Sequence, residues 1–415
     1  MIISVIGCGH VGSVVAACLA QVGNNVTVVD IDEEKVKRVN TKVAPVYEFG
    51  LEEILTQVNI KATLDFSSIR DSEIIFICVP TPSKEDGSIS LEHIIMATEQ
   101  ISSILKDKKG YCVIAVKSTV VPGTTEEVIV PILESSGKKA GQDFGVCMNP
   151  EFLVVGKGIY DFMNPARTVI GEYDKRSGDA LSTLFRSFNA PILRVNLKTA
   201  EMIKYASNTF LTTKISFINE IGNICKQLGI DTHEVAKGMG LDERIGGSFL
   251  NAGIGFGGPC LPKDLRALIA RARQIGYEPR ILAEVLNLND RQALKLIDLL
   301  KKYTSLKGKN IGVLGLSFKP QTDDVKDSLA VTVIDTLLKE GARVKAYDPQ
   351  AMPNFRQLFP QIEYVTSEEV LSCDAILILT EWEDFEHLDY RGKIVIDGRR
   401  ILKAKEARIY EGICW

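Results

Sequence analysis

The sequence predicts an α/β protein with two Rossmann-like doubly wound sheets that are joined by a long-helix central domain. Three observations carry this prediction. The first part of the chain alternates apolar β-branched runs with helical stretches and starts on a glycine-rich turn. The middle has apolar residues at helical spacing, and the last third returns to short strands and helices. We therefore expect three domains, at residues 1–197, 198–303 and 304–415.

Composition and charge exclude several classes of partner. The net charge of -4 and the lack of a basic tail argue against a nucleic-acid partner. No apolar run is long enough to cross a bilayer, and residues 1–6 are already strand-like, so we expect no membrane partner and no signal peptide. The nine cysteines contain no Cys-x-x-Cys pair and the four histidines are isolated, which favours a cytoplasmic protein without a metal site.

The opening segments follow the order of a dinucleotide-binding fingerprint: strand Ile2–Ile6, turn Gly7–Gly12, helix Ser13–Gln21, strand Val26–Val29 and then Asp30. Gly7 permits the tight turn, Gly9 lets the backbone approach a pyrophosphate, and Gly12 packs helix on strand. The helix N-terminus receives the phosphates. An acid at Asp30 bonds the adenine ribose and repels a 2′-phosphate, so the turn predicts NAD as cofactor.

The next three predicted strands all end in polar residues. They are Ile74–Val79 before Thr81, Tyr111–Lys117 before Ser118-Thr119, and Phe144–Met148 before Asn149-Pro150-Glu151. Ligands of a doubly wound sheet bind beyond the carboxyl ends of its strands, so these residues together favour a site. The alternative for each is an ordinary turn.

The middle of the chain predicts a helix from Thr199 to about Gly229, and a second helical segment from about Asp264 to Lys302. Lys204 and Asn208 are four residues apart and share one helix face. Because that stretch has few other charges, a polar cavity explains the pair better than open solvent does. Two long helices between α/β halves also suggest a dimer face.

A cysteine at the end of a glycine-rich turn is the candidate nucleophile. Cys260 follows Gly255–Gly258 and precedes Lys263 and Asp264 at a predicted helix start. A helix N-terminus and a nearby cation both stabilise a thiolate. The alternative is a buried cysteine packed as a small hydrophobe, and the predicted redox cofactor favours the nucleophile.

The last third predicts a second, shorter α/β sheet without the glycine triplet. Its predicted elements are Asn310–Leu314, Ser328–Lys339, Arg343–Tyr347, Ala375–Leu379 and Lys393–Ile396. A second dinucleotide is therefore less expected than another nucleotide-bearing ligand. Basic residues near its strand ends, Lys319, Lys326, Arg399 and Arg400, suit phosphate, although ordinary surface charge is the alternative.

Seven motifs in fixed order resemble the UDP-glucose/GDP-mannose dehydrogenase family over essentially the whole chain. They are Gly7–Gly12, Val79–Pro82, Lys117–Val120, Asn149–Leu153, Lys204–Asn208, Gly257–Asp264 and Ser317–Asp324. Four further segments resemble the UDP-glucose 6-dehydrogenase branch of that family: Arg244–Gly246, Phe249–Gly258, Thr380–Trp382 and Asp397–Arg400.

The resemblance implies oxidation of a nucleotide sugar, UDP-glucose first, from primary alcohol to acid with two NAD and a Cys260 thiohemiacetal and thioester. It implies catalytic roles for Cys260, Lys204, Asn208, Asp264, Glu151 and Thr119. Besides the three glycines and Asp30, it implies cofactor contacts from His10, Val11, Lys35, Thr81, Thr119, Lys263 and Lys326. It implies substrate contacts from Glu151, Phe152, Leu153, Lys204, Asn208, Arg244, Phe249, Asn251, Gly257, Phe318, Lys319 and Arg399. Arg244 would reach a neighbouring subunit's substrate, which implies a homodimer with a shared site.

Four positions depart from the family pattern. Val155 stands where the family usually has an acid, His10 where it has Tyr, Pro259 where it has Ser, and Lys326 where it has Arg. None removes a candidate catalytic group, but the nucleotide sugar stays open between UDP-glucose, GDP-mannose, a UDP-N-acetylhexosamine and UDP-galactose. A non-catalytic protein that binds NAD and a nucleotide sugar is the alternative of a different class.

Overall fold

Residues 1–206 are built on an eight-stranded sheet and form one of two units. The computed structural model describes every residue from 1 to 415. The strands of this unit are β1 (Ile2–Ile6), β2 (Asn25–Val29), β3 (Ile60–Thr63), β4 (Ile74–Ile77), β5 (Val113–Val116), β6 (Gly145–Met148), β7 (Thr168–Glu172) and β8 (Ile192–Asn196). The helices are α1 (His10–Gln21), α2 (Glu33–Asn40), α3 (Leu51–Gln57), α4 (Glu92–Leu105), α5 (Val130–Glu134), α6 (Gly158–Met163) and α7 (Lys175–Phe185). A further helix, α8 (Leu197–Leu228), begins in this unit and ends in the second.

The strand order of this sheet is β3-β2-β1-β4-β5-β6-β7-β8. All neighbours are parallel except β6 and β7, which run antiparallel. The first six strands have the order of a Rossmann fold, which confirms the predicted doubly wound sheet. The edge strands β3 and β8 were not predicted, because their partly exposed side chains interrupt the apolar run that marks a buried parallel strand.

Residues 207–415 form the second unit, whose sheet has the strand order β11-β10-β9-β12-β13-β14 with every pairing parallel. Its strands are β9 (Asn310–Leu314), β10 (Arg343–Tyr347), β11 (Glu363–Tyr364), β12 (Ala375–Ile378), β13 (Ile394–Asp397) and β14 (Ile409–Gly412). Its helices are α9 (Thr232–Gly240), α10 (Leu261–Gln274), α11 (Arg280–Gln292), α12 (Lys295–Lys301), α13 (Leu329–Lys339), α14 (Met352–Leu358) and α15 (Ser367–Val370). The second Rossmann-like sheet is therefore confirmed.

The long central helix is α8, whose 32 residues extend about 48 Å. The single helical segment predicted from Asp264 to Lys302 is instead three helices, α10 to α12. The chain turns at Gly276, which has a φ of 80°, and α11 starts after Pro279. Glycine after a helix and proline before the next are stop and start signals that the apolar periodicity hid. The structure contains no helix with the length and apolarity that a membrane span needs.

The two sheets carry the same turn after their first strand. In the first unit the Gly7 N–H donates to the Val29 carbonyl at 2.8 Å, and in the second the Gly315 N–H donates to the Tyr347 carbonyl at 2.8 Å. The φ angles of these glycines are 99° and 97°. Both turns thus link the first strand of a sheet to the end of its second strand, where each sheet carries an aspartate.

Candidate active site

In the glycine turn of the first unit, Gly7 and Gly12 are closely packed, whereas the space beside Gly9 is open. A Cβ on Gly7 would lie 2.7 Å from the Cys78 carbonyl oxygen, and one on Gly12 would lie 1.9 Å from the Gly7 carbonyl oxygen. A Cβ on Gly9 would meet nothing within 4 Å. Strand and helix packing therefore requires Gly7 and Gly12, whereas the space in front of Gly9 is left for a ligand. This cradle, at the N-terminus of the twelve-residue α1, fits a pyrophosphate.

Asp30 lies half-buried at the end of β2, where its carboxylate accepts hydrogen bonds from the Cys8 and Asp32 N–H groups. These bonds hold a negative charge beside the cradle. Lys35 is one turn into α2, with its Nζ 3.5 Å from the Asp32 carboxylate. The set fits an NAD whose ribose hydroxyls bond Asp30, as the sequence predicts.

His10 and Val11 begin α1 directly after the cradle. The His10 Nε2 is hydrogen-bonded to Glu48, whose carboxylate also accepts the Gly156 N–H at 2.9 Å and the Gly158 N–H at 2.8 Å. Burial raises the pKa of Glu48, but these three hydrogen bonds outweigh it and hold the pKa below its ordinary value. Glu48 could not be predicted as a site residue, because its partners lie far away along the chain.

Glu151 and Lys204 form a buried ion pair, with 2.8 Å between Oε1 and Nζ. The other carboxylate oxygen accepts the Leu153 N–H at 2.6 Å, and the Lys204 Nζ lies 5.5 Å from the centroid of the Phe152 ring. Burial raises the pKa of Glu151, but the charge and hydrogen bond of Lys204 and the Leu153 amide outweigh it, so the pKa lies below its ordinary value. Glu151 is therefore an ionised carboxylate that can accept a proton.

Lys117 is a second buried lysine near this pair, and the sequence did not single it out as a site residue. Its Nζ donates to the Asn149 Oδ1 at 2.8 Å, and Asn149 donates in turn to the Val169 carbonyl at 2.9 Å. Three aromatic rings lie within 6.0 Å of the Nζ: Phe76, Phe162 and Phe185. Burial lowers the pKa of Lys117 to about 8. These contacts fix the turn that presents Glu151.

Thr81 and Thr119 join the ends of β4 and β5. The Thr81 hydroxyl donates to the Thr119 carbonyl at 3.0 Å, and the Ser118 hydroxyl donates to the Val79 carbonyl at 2.7 Å. These bonds hold the two loops together at the carboxyl edge of the sheet, where a doubly wound fold binds its ligand.

Glu201 anchors the loop that follows Thr119 to helix α8. Its buried carboxylate accepts the Gly123 N–H at 2.6 Å and the Thr125 N–H at 2.8 Å. Burial raises its pKa, against the effect of these hydrogen bonds. Because Lys204 is three residues further along α8, the same contact places the Lys204 side chain relative to the loop.

Cys260 is exposed and is the residue directly before α10. One turn later, the buried Asp264 accepts a hydrogen bond from the Asn208 amide at 2.6 Å and from the Lys263 ammonium at 2.6 Å. A thiol at the start of a fourteen-residue helix experiences the positive end of the helix dipole, which favours a thiolate. Lys204 and Asn208, one turn apart on α8, thus hold Glu151 and Asp264 respectively.

Three buried side-chain amides, all missed by the sequence analysis, fix the loop before Cys260. Asn289 accepts from the Phe256 N–H at 2.8 Å and donates to its carbonyl at 3.0 Å. Asn219 accepts the Gly253 N–H at 2.8 Å, and Gln292 donates to the Gly253 carbonyl at 2.9 Å. The signal was present, because α11 buries Val285, Asn289 and Gln292 at helical spacing, which puts two amides on its apolar face.

The glycines before Cys260 pack on the segment that carries Lys319. A Cβ on Gly257 would lie 2.4 Å from the Asp327 carbonyl oxygen, and one on Gly258 would lie 2.6 Å from the Phe318 ring. The Lys319 Nζ is 5.8 Å from the centroid of the same ring. The structure therefore brings the predicted substrate residues Gly257, Phe318 and Lys319 to the loop that precedes Cys260.

A cavity of about 730 Å³ lies behind this loop, within the second unit. Its lining includes Pro262, Lys326 and the ion pair of Arg266 with Asp327, whose nearest N–O distance is 3.0 Å. Lys326, a predicted cofactor residue, is exposed at this cavity, and its N–H donates to Asp324 at 2.8 Å.

Arg399 is held at the end of β13. Its guanidinium donates to the Leu379 carbonyl at 3.0 Å and lies 3.2 Å from Glu381, while its N–H donates to Asp397 at 2.8 Å. Burial raises the pKa of Asp397 to about 6, against the hydrogen bonds from Arg399 and Tyr410. Arg399 is thus positioned by contacts within the protein.

The remaining predicted substrate residues lie on the surface of the second unit. The Arg244 side chain is 89% exposed and its guanidinium is 2.6 Å from Asp242. Phe249 is 42% exposed with a φ of 64°, and Asn251 is exposed. A left-handed backbone is strained for phenylalanine, and such strain is commonly retained at functional sites.

Three consecutive parts of the chain, which carry the residues described above, match models of a known family. Residues 1–189 match the NAD binding domain, residues 198–291 the central domain and residues 312–404 the UDP binding domain of the UDP-glucose/GDP-mannose dehydrogenase family. The chain belongs to this family. The predicted family and its NAD cofactor are confirmed, and the chain is a dehydrogenase of the family.

Individual relatives cover the whole chain. A UDP-glucose 6-dehydrogenase of Haloferax volcanii is 44% identical over 429 aligned residues that cover 100% of both chains. A GDP-mannose 6-dehydrogenase of Pseudomonas savastanoi pv. phaseolicola is 39% identical over 441 aligned residues, again with 100% coverage of both. The solved structure of a UDP-glucose dehydrogenase from Pyrobaculum islandicum has a TM-score of 0.96 and 39% identity, and it covers 100% of this chain and 97% of its own.

Proposed function

We propose that this dehydrogenase oxidises the C6 alcohol of UDP-glucose to the carboxylate, consuming two NAD and one water and giving UDP-glucuronate and two NADH. The observation that carries the proposal is the exposed Cys260 at the head of α10, one turn before the buried Asp264. An oxidation that ends at an aldehyde needs no nucleophile, whereas one that reaches the acid gains from a covalent intermediate.

Cys260 is the nucleophile of this scheme. When bound, NAD accepts one hydride in each of the two oxidations. The sulfur of Cys260 forms a bond to C6 of the aldehyde, so the thiohemiacetal cannot leave. After the second oxidation C6 is a thioester, and attack by water breaks the C6–S bond and releases the carboxylate and the thiolate.

The proton of the alcohol passes to a bound water that Lys204 and Asp264 hold, and from that water to the Asp264 carboxylate, because Lys204 is the positively charged partner of Glu151. Each has a buried partner that fixes its side chain, Glu151 for Lys204 and Asn208 for Asp264. Lys204 and Asn208 also donate to the oxygen that becomes negative as sulfur or water adds to C6.

Glu151 activates the water that hydrolyses the thioester, with Thr119 orienting water and cofactor. Its carboxylate is ionised because Lys204 lies 2.8 Å away, so it accepts the proton of the attacking water. Phe152 and Leu153 form the wall beside it, and Leu153 fixes one of the carboxylate oxygens.

The nucleotide diphosphate is bound in the second unit by Lys319, with Arg399, Phe318 and Gly257 beside it, and Phe249 and Asn251 complete the substrate contacts. NAD is held by Gly7–Gly12, Asp30, Lys35, Thr81, Thr119, Lys263 and Lys326. The same chemistry on GDP-mannose is the second candidate, because a relative with that activity is 39% identical over the full chain, against 44% for the UDP-glucose relative.

The deciding experiment is the number of NADH formed per molecule of limiting UDP-glucose with NAD in excess. Two NADH with UDP-glucuronate as product support the proposal. One NADH means that the aldehyde escapes, and no NADH with UDP-glucose but two with GDP-mannose moves the assignment to the second candidate.

Cys260→Ala tests the covalent step, with Cys373→Ala as the matched control, because Cys373 is a buried thiol of the same unit. We expect Cys260→Ala to bind NAD normally and lose the two-NADH turnover, while Cys373→Ala keeps it. Two NADH per UDP-glucose in Cys260→Ala would refute the thioester.

We also propose a homodimer in which Arg244 reaches the partner's substrate. Phe210, Phe217 and Ile224 of α8 are 64%, 47% and 52% exposed and recur every seven residues, so they form one apolar stripe. Mixing and refolding Arg244→Ala with Cys260→Ala tests the shared site. A heterodimer would contain one complete site, so we expect activity from two inactive variants, up to about a quarter of the wild-type value. No recovery would mean that each site is made by one chain.

Domain limits at 1–197, 198–303 and 304–415 and a cytoplasmic location complete the proposal. Nine cysteines that form no disulfide, eight of them buried, suit a reducing compartment. Limited proteolysis should cut near 197 and 303 if these limits are the domain borders, and cell fractionation tests the location.

A further inference from the structure

Glu48 connects two loops that serve different ligands. Its carboxylate, in a residue 5% exposed, bonds the His10 ring on one side and the Gly156 and Gly158 amides on the other. His10 is the first residue of α1, directly after the cradle at Gly9. Gly156 and Gly158 end the loop that starts at Glu151. A single ionised side chain therefore joins the glycine turn proposed to bind NAD to the loop that carries Glu151.

The N-terminal parts of α1 and α6 pack closely against each other and against Glu48. A Cβ on Gly158 would lie 3.3 Å from the Val14 side chain of α1 and 3.4 Å from the Glu48 carboxyl carbon. The backbone at Gly156 has a φ of 84°, which turns its N–H toward Glu48. A shift of α1's first turn thus moves Glu48, and with it the end of the 151–158 loop.

A purely structural role would be to cap α6. The residue before α6, Lys157, makes no side-chain cap, and the Gly158 N–H is bonded by Glu48 instead. Capping explains the two amide bonds. It does not explain why a third donor, on another helix beside the cofactor cradle, shares the same carboxylate.

We infer that Glu48 and His10 are positioning residues that couple NAD binding to the 151–158 loop, so that NAD and the nucleotide sugar bind with positive cooperativity. The inference rests on the proposed function, which places NAD at Gly9 and the sugar at Glu151. NAD fixes the first turn of α1, His10 then holds Glu48, and Glu48 holds the loop in the geometry that binds the sugar. By linkage, the sugar tightens NAD by the same factor.

The test is the NAD dissociation constant measured by calorimetry with and without saturating UDP-glucuronate, which carries the sugar but has no alcohol at C6 to oxidise. We expect wild-type NAD affinity to rise at least about 5-fold with the product bound. In His10→Phe, which keeps a ring and leaves both amide bonds of Glu48, the factor should fall below about 2-fold. Glu48→Gln should reduce this factor to the same extent, and the double variant His10→Phe with Glu48→Gln should reduce it no further.

Lys139→Gln is the matched control, because it removes an exposed ion pair with Glu134 in the same unit. It should keep the wild-type coupling factor. Unchanged coupling in His10→Phe, with only melting temperature or binary NAD affinity altered, would reduce the pair to a structural cap and overturn the inference. Wild-type turnover of UDP-glucose without any coupling would overturn the inference alone. A wild type that neither binds NAD nor forms NADH would overturn the proposed function and this inference with it.

Discussion

Replacing Lys204 by methionine should convert Glu151 from a stabilised carboxylate into an isolated buried charge. The Nζ–Oε1 distance is 2.8 Å and both side chains are at least nine-tenths buried, so little solvent screens the pair. Methionine retains the length and apolar stem of lysine, which limits the change to the lost charge and hydrogen bond.

The magnitude follows from the geometry. An opposite charge this close lowers a carboxyl pKa by about 1–3 units, and each unit corresponds to about 1.4 kcal/mol. Breaking a buried pair by removal of one partner costs about 3–5 kcal/mol, because the other charge stays buried. At about 2–4 °C per kcal/mol for a unit of this size, the melting temperature of the first unit should fall by about 6–20 °C at neutral pH.

The sign of the pH dependence distinguishes this from a packing defect. In the wild type the pKa of Glu151 lies below its ordinary value, so the pair contributes stability above about pH 4.3, which is lost as pH falls through the folded-state pKa. In Lys204→Met burial acts with less opposition and the pKa rises. The charged Glu151 then destabilises the variant increasingly as pH rises from about 4.3. The gap between wild type and variant must therefore widen from acidic to neutral pH.

Calorimetric melting of both proteins at pH 5 and pH 8 measures this gap. The double variant Lys204→Met with Glu151→Gln should recover much of the loss, because no buried charge remains. Lys139→Met, which removes an exposed pair, should change stability by less than about 1 kcal/mol at both pH values. A gap that is equal at pH 5 and pH 8, or a double variant no more stable than Lys204→Met, would refute the electrostatic argument.

Three further outcomes are expected. Gly9→Ala should fold with an unchanged or slightly raised melting temperature, because its Cβ meets nothing and its φ of -76° suits alanine, but it should bind NAD at least about tenfold more weakly. Gly12→Ala should lose stability as well as NAD affinity. Wild-type NAD affinity in Gly9→Ala would contradict the assignment of this turn as the pyrophosphate site. Asn289→Ala should leave NAD affinity unchanged and lower kcat by freeing the Phe256 backbone before Cys260, whereas an unchanged kcat would mean that the loop is held by its glycines. Burial lowers the pKa of Lys117 to about 8, so its charge opposes folding below that pH. The stability of the wild type relative to Lys117→Met should therefore rise by up to about 3 kcal/mol between pH 8 and pH 10.4. A stability difference that does not change over this pH range would refute the lowered pKa.

The sequence predicted the parts of the fold that depend on local pattern. The buried strands β1, β4, β5 and β6 appear as continuous apolar runs, and the glycine turn with Asp30 is a contiguous signal. The edge strands β3 and β8 have partly exposed residues and carry no such signal. The breaks at Gly276 and Pro279 were visible in the sequence, but the apolar periodicity on both sides favoured one helix.

In the candidate site, too, residues in contiguous motifs could be predicted and residues that act through long-range contacts could not. Glu151, Lys204, Asn208, Asp264 and Cys260 lie in short motifs, so a resemblance could name them without a structure. The groups that hold them do not. Glu201, Glu48 and Asn289 each bond backbone amides of a segment more than thirty residues away, and only the folded chain brings donor and acceptor together.

The repeated turn shows how the aspartates of the two sheets differ in the acceptor capacity that is left for a ligand. Asp348 ends β10 as Asp30 ends β2, and each accepts the N–H of the residue after the turn glycine and that of the residue two positions on. Asp348 is fully buried and accepts four more hydrogen bonds, from Ala351, from the N–H and hydroxyl of Ser317, and from the Trp382 indole at 3.1 Å. Donors within the protein therefore occupy the acceptor positions of Asp348, whereas the half-buried Asp30 can still accept a hydrogen bond from a ribose. Two of these six bonds hold Ser317, directly before Phe318 and Lys319. Asp348 therefore orients the segment that carries the lysine proposed to bind the nucleotide diphosphate, whereas Asp30 is proposed to bind the ribose of NAD.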